Sequence, residues 1–79
     1  MRKSDFIGKM IGFFDKTKQL GVGIILDVHS VTAYNRTIRM DVLLGEEVLE
    51  DLVVMRMAED GSLHITNYER LPYAQYLEK

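Results

Sequence analysis

The stretch SDFIGKMIGFFDKTKQLGVGIIL, residues 4–26, decides the fold, because its first half is compatible with a helix or with a strand. A helix would gather the large apolar side chains in one sector: Phe6, Ile7, Met10, Ile11, Phe13 and Phe14. Ser4 would be its N-cap, since a serine hydroxyl can accept a hydrogen bond from the first turn. Gly8 and Gly12 oppose the helix, because each costs about 1 kcal/mol relative to alanine in a helix interior.

A strand over residues 8–15 is the competing interpretation, and it is the one we favour. The basic loop KTKQLG would then lead into a second strand that starts with VGIIL. A glycine inside a strand often marks the bend at which a small barrel closes, and Gly12 is placed for that role.

The segments after this stretch predict an antiparallel meander. In TIRMDVLL, residues 37–44, apolar residues alternate with polar ones, so one face would carry Ile38, Met40, Val42 and Leu44. A loop over residues 45–50 would set these opposite Asp51, Val53, Met55 and Met57. In GVGIILDVHS, residues 21–30, the matching face would carry Ile24, Leu26 and Val28. The segment EEVLEDLVVMRM also fits a short helix, which is the alternative there.

A hairpin over residues 53–67 completes the predicted meander. A three-residue loop over residues 59–61 suits a type I turn followed by Gly61 in the left-handed conformation. That loop would pair Met57 with Leu63, Met55 with Ile65 and Val53 with Asn67. Beyond the hairpin, Pro72 is placed as the first residue of a short C-terminal helix.

The pattern GKMIGFFDKTKQLGVGIILDV, followed by RMDVLLGEE, resembles the opening of short SH3-like barrels, a kind frequent among bacteriophage proteins. In these barrels a strand of the form glycine-x-aliphatic-aliphatic is followed, after a loop, by a second strand that opens on glycine. The resemblance covers residues 8–45. It implies a barrel fold and a role in virion assembly or host interaction.

The predicted fold class is therefore mainly β: a small SH3-like antiparallel barrel or meander sheet with a short C-terminal helix, in a single domain over residues 1–79. The alternative is an α+β fold, in which an N-terminal amphipathic helix covers a four-stranded antiparallel sheet.

Composition limits the function classes. The chain has 79 residues and no cysteine, so neither a disulfide nor a thiolate metal site can stabilise it. We therefore expect a homo-oligomer, or a complex with another protein. The net charge of −2 disfavours a dedicated nucleic-acid binder. No signal peptide or membrane span is apparent, so we expect a cytoplasmic location, which would be the host cytoplasm or the virion for a phage protein.

Few residues indicate chemistry. His29 and His64 are predicted on the outer faces of strands without a third metal ligand, and no catalytic cluster is apparent, so we expect no enzyme, cofactor or metal. Aromatic residues and arginines are typical of protein interfaces. Charged turns are typical of loops that contact a partner. The predicted interaction residues are Tyr34, Asn35, Arg36, Arg39, Glu46 and Glu47. The alternative function is a small nucleic-acid-binding barrel, with phosphate contacts from Lys16, Lys18, Arg36 and Arg39.

Overall fold

A computed structural model describes residues 3–77, apart from the side chain of Asn35. Its strands are β1 (Met10–Asp15), β2 (Lys18–Val31), β3 (Thr37–Leu44), β4 (Glu47–Arg56), β5 (Leu63–Ile65) and β6 (Tyr73–Leu77). Two short 3₁₀ helices, η1 (Lys3–Asp5) and η2 (Ala33–Asn35), precede β1 and β3.

Within residues 3–77, the six strands form a closed antiparallel barrel in the order β1-β2-β3-β4-β5-β6. The barrel closes where β1 pairs with β6. The β4–β5 pairing is short and involves only residues 54–56 of β4. The mainly β fold class predicted from the sequence is thus confirmed.

The opening stretch is a strand, and the α+β alternative with an N-terminal helix is wrong. On β1, Ile11 and Phe13 point into the core and are fully buried, as the two-residue period of a strand requires. Gly12 faces outward, where the ring of Phe14 lies 3.4 Å from the position its Cβ would take. An aromatic ring placed over a strand glycine in this way restores packing that the glycine lacks.

The core residues are all apolar: no polar or charged residue of the described part of the chain is buried as a whole. The members of the core are Phe6, Ile11, Phe13, Ile25, Val28, Ile38, Met40, Val42, Leu49, Leu52, Val54, Leu63, Ile65, Leu71 and Ala74. The predicted inward face of β3 is confirmed for Ile38, Met40 and Val42, and Leu44 packs against the core from its edge.

Irregularities in β2 overturn part of the predicted face of that strand. Ile25 is opposite Val42, and the next paired residue is Asp27, opposite Asp41, so Leu26 is an extra residue. Such a bulge reverses the alternation of faces. Val28 is opposite Met40 as predicted, whereas Ile24 and Leu26 point outward.

The predicted loop over residues 45–50 and the alternative helix after it are both wrong. The β3–β4 turn contains only residues 45 and 46, and β4 begins at Glu47. Met40 is opposite Leu52, and Val42 is opposite Leu49, so β4 carries a bulge between them. Asp51 occupies this bulge with φ of 54°, which is rare for a residue with a side chain.

The β4–β5 hairpin has the predicted turn chemistry but a different register. Gly61 has φ of 73°, as predicted, and its N–H donates to the Met57 carbonyl. Met57 faces Ser62, so the loop has four residues, 58–61, instead of three. The extra residue shifts the pairing by one, which places Val54 opposite Ile65. Val54 is therefore buried, whereas Met55 is exposed.

The short C-terminal helix predicted from Pro72 is also wrong, because residues 73–77 form strand β6. This segment alternates: Ala74 is buried and Tyr76 packs against the core, whereas Tyr73 and Gln75 are exposed. Proline lacks an N–H, and it is tolerated immediately before a strand as well as at the start of a helix. Pairing with β1 decides between the two, since that pairing closes the barrel.

Candidate interaction surfaces

Four apolar residues lie directly opposite one another on the outer face of β1 to β4. Met10 is paired with Ile24, Ile24 with Leu43, and Leu43 with Val48. We call these four residues the apolar row. Met10 is 38% exposed, Ile24 45% and Val48 49%, while Leu43 is half-buried between them. Because neighbouring strands are about 4.8 Å apart, the row is a continuous apolar surface about 14 Å long.

The interaction residues predicted from the sequence do not form one surface. Tyr34 and Arg36 lie at the beginning of β3, in and after η2, whereas Glu46 and Glu47 lie at its other end. Glu47 forms a salt bridge with Arg70, which lowers the pKa of Glu47. The side chain of Asn35 lies outside the described residues.

Arg39, also predicted as an interaction residue, forms a salt bridge with Asp51 on the neighbouring strand. Its guanidinium donates two hydrogen bonds to the Asp51 carboxylate, and these lower the pKa of Asp51. Paired arginine and carboxylate groups of this kind have limited freedom to contact a partner. Arg39 therefore stabilises the β4 bulge.

Three more side chains bind the backbone of the same bulge. The Asp41 carboxylate accepts a hydrogen bond from the Asp51 N–H at 3.0 Å. The Asn67 amide donates to the Asp51 carbonyl at 2.8 Å, and the Tyr68 hydroxyl donates to the Glu50 carbonyl at 2.8 Å. The backbone groups that the bulge removes from the ladder thus regain partners, which is what their partial burial demands.

His29 and Asp41 form an ion pair beside the bulge. His29 Nε2 lies 2.8 Å from Asp41 Oδ1, and this hydrogen bond raises the pKa of His29. The pKa of Asp41 is lowered, first by the hydrogen bond from the Asp51 N–H and then by the one from His29.

Asp27 approaches the same pair, so that one potential ligand atom from each of Asp27, His29 and Asp41 lies within 4.8 Å of the others. A carboxylate-rich set with one imidazole suits a divalent cation. The sequence offered a signal that was missed, since Asp27 and His29 are two residues apart on β2 and Asp41 is on the next strand. The hydrogen bond between His29 and Asp41 already accounts for the positions of these two side chains.

Ser62 and His64 form a second polar pair. Ser62 Oγ lies 3.2 Å from His64 Nε2, and the His64 ring packs edge-on against Tyr73. Activation of a serine needs a third group that orients the histidine. Asp60, two residues before Ser62, accepts a hydrogen bond from the Ser62 N–H at 2.9 Å. Among residues 3–77, no carboxylate forms a hydrogen bond with His64 that would orient its ring.

Two grooves adjoin each other around the β4–β5 loop. The larger has a volume of about 660 Å³, and Phe14, Lys16, Arg56, Tyr73 and Tyr76 contribute to its lining. The smaller has a volume of about 340 Å³, and Tyr34 and Arg36 contribute to its lining. Arg56 and Gly61 line both. The two grooves therefore lie side by side, with Arg56 and Gly61 between them.

Among residues 3–77, no helix has the length and apolar character that crossing a membrane requires. Comparisons with models of protein families, with curated proteins and with solved structures find no match to this chain.

Proposed function

We propose that the protein is a non-enzymatic assembly module, and that its apolar row docks against the row of a second copy. The observation that carries this proposal is the apolar row, in which apolar residues of four consecutive strands, three of them exposed, lie directly opposite one another. Contiguous exposed apolar surface on a small protein is a marker of protein interaction, because it costs free energy in water.

The surroundings of the row fit the anatomy of an interface. Leu77 continues the row onto β6, where it is paired with Met10, and Leu26 lies two residues beyond Ile24. Glu46 and Glu47, predicted as contact residues, border the row at Val48 and would form part of a polar rim.

A second copy is the partner that the size of the chain favours. Chains of this length without disulfides often gain stability by oligomerisation. An interface of about 800 Å² per partner would cover about 15% of the 5304 Å² surface of the monomer. Two rows related by a two-fold axis present the same apolar surface to each other, so the contact needs no charge complementarity.

The SH3-like character of the barrel and a bacteriophage origin are the finer parts of this proposal. They are supported by the antiparallel barrel and by the pattern of glycines and aliphatic residues over residues 8–45. The process would then be virion assembly or host interaction, in the host cytoplasm or the virion. Fold alone does not determine function, so the assembly role rests on the row.

Sedimentation velocity at micromolar concentrations tests the proposal. The wild type is expected to sediment as a dimer of twice 9.1 kDa. Ile24→Lys and Val48→Lys are expected to give monomers, since each places a charge within the apolar contact. Leu20→Lys is the matched control, because Leu20 is 38% exposed on β2 but lies outside the row. A wild type that is monomeric, or a dimer that survives Ile24→Lys, would overturn self-association through this surface.

A further inference from the structure

We propose that a single strand of nucleic acid binds along the two adjoining grooves. Lys16, Arg36 and Arg56 would contact its phosphates, and Tyr34 would stack on a base. This site is independent of the apolar row, and neither proposal depends on the other.

The charge of the grooves is the first observation. Within the described residues, three cationic side chains and no acidic ones line the two grooves. None of the three forms a salt bridge with another described residue, whereas Arg39 and Arg70 each do. Asp60, which precedes Gly61 in the β4–β5 loop, turns its carboxylate toward the Ser62 N–H. The net charge of −2 therefore hides a local region of positive charge.

Backbone strain is the second observation. Among residues 3–77, three residues other than glycine have positive φ: Lys16, Tyr34 and Asp51. Asp51 is explained by the β4 bulge. Lys16, with φ of 57°, is the first residue of the two-residue turn between β1 and β2, and such turns require positive φ at that position. Tyr34, with φ of 60°, interrupts η2 and lines the smaller groove. Strain of about 1 kcal/mol at Tyr34 is typical of a residue retained for a functional contact.

The position of Tyr34 is the third observation. Its side chain is 85% exposed, although a tyrosine ring is large and mostly apolar. Its carbonyl accepts a hydrogen bond from the Arg56 guanidinium, and the Arg56 N–H donates to the Arg36 carbonyl at 2.7 Å. Arg56 thus fixes the segment that presents Tyr34. An exposed ring on a fixed backbone beside cationic side chains is the composition of single-strand binding surfaces.

Fluorescence anisotropy with a labelled twelve-nucleotide oligothymidylate tests the site in the intact protein. Three phosphate contacts predict a slope of about −2 for log K against log salt, so affinity should fall about 20-fold between 50 and 200 mM salt. Lys16→Gly should weaken binding and change the slope to about −1.4. Tyr34→Gly should weaken binding about tenfold without changing the slope, because stacking releases no counterions.

The glycine variants separate loss of binding from loss of folding. Glycine adopts positive φ without penalty, so both variants are expected to be at least as stable as the wild type. Lys3→Gln is the matched charge control, because Lys3 is an exposed cation on η1 outside both grooves. The affinity of this variant for the oligonucleotide should stay within about twofold of that of the wild type. No binding at 50 mM salt would overturn the proposal. So would equal binding by Lys16→Gly, or equally tight binding of a labelled oligoglutamate, which would indicate a site for acidic peptides.

Discussion

Replacing Tyr76 by phenylalanine should stabilise the barrel. Tyr76 packs against the core, with its ring centroid 5.7 Å from that of Phe6. Its hydroxyl oxygen is buried and has no hydrogen-bond partner among the described residues. An unpaired buried hydroxyl costs about 1–3 kcal/mol. Removing the oxygen also removes its van der Waals packing against the neighbouring atoms, so we expect a net gain of about 1 kcal/mol for Tyr76→Phe. In a domain of this size that gain corresponds to a rise of about 4–8 °C in Tm.

The same hydroxyl predicts a loss of stability in alkaline solution. Burial raises the pKa of Tyr76 to about 12, although the nearby Arg56 charge acts in the opposite direction. An unfolded tyrosine has a pKa of about 10, so the unfolded chain releases this proton first as the pH rises. The contribution of this pKa difference to the free energy of unfolding is fully present below a pH of about 10 and is lost as the pH rises through the pKa of folded Tyr76. At pH 11 the wild type should have lost about 1.4 kcal/mol that Tyr76→Phe retains.

Urea unfolding at pH 7 and pH 11 measures both effects, and Tyr68→Phe is the matched control. The Tyr68 hydroxyl donates to the Glu50 carbonyl at 2.8 Å, so its removal should destabilise the barrel by about 1 kcal/mol. The two substitutions delete the same atom and should have opposite signs. A loss of more than about 0.5 kcal/mol in Tyr76→Phe at pH 7 would show that its hydroxyl is satisfied, and the reasoning would fail.

Two further substitutions, at Gly23 and at Asp41, test the packing between β2 and β3 and the ion pair of His29 with Asp41. Gly23→Ala should cost about 1–3 kcal/mol in urea unfolding, because the new Cβ would lie 2.6 Å from Val42 Cγ1 and 3.0 Å from the Leu43 carbonyl oxygen. Gly12→Ala is the control: its Cβ would meet atoms no closer than 3.4 Å, so the free energy of unfolding should hardly change. Equal losses of stability in the two variants would contradict the close packing around Gly23. Asp41→Asn should return the raised pKa of His29 toward its usual value, as followed by NMR titration of the imidazole, because the carboxylate that favours the imidazolium is lost. In the wild type this pair therefore stabilises the fold between the lowered pKa of Asp41 and the raised pKa of His29, and it ceases to do so as the pH rises through the folded value of His29. An unchanged His29 pKa in Asp41→Asn would show that another group raises it.

How much of the fold is predictable depends on where the strands are regular. The alternation in TIRMDVLL predicts the buried face of β3 correctly, because no bulge interrupts β3 itself. The faces of β2 and β4 are only partly predictable, since each contains extra residues that reverse the alternation. Nothing in the sequence marks Leu26 or Asp51 as such a residue. A single additional loop residue has the same effect at the β4–β5 hairpin, where Val54 replaces Val53 and Met55 in the core.

The residues of the two proposed binding surfaces also differ in how far the sequence alone predicts them. Tyr34 and Arg36 stand out in the sequence, because an aromatic residue and an arginine share one turn. Arg56 and Tyr73 do not stand out, since they are 17 residues apart and reach one groove only after the barrel has closed. The apolar row is hidden for a related reason: its four residues belong to four strands, and their alignment depends on the register of three pairings.

Barrel closure and exposed apolar surface have a common origin in β2. This strand has 14 residues and pairs with β1 through its first part and with β3 through its second. Serving both neighbours requires strong coiling, and the extra residues Leu20, Leu26 and His29 provide it, because each bulge increases the local twist. Leu20 and Leu26 are left on the outer surface as a result. The apolar row is the part of this outer apolar surface that is available to a second copy, and Leu20 lies outside it.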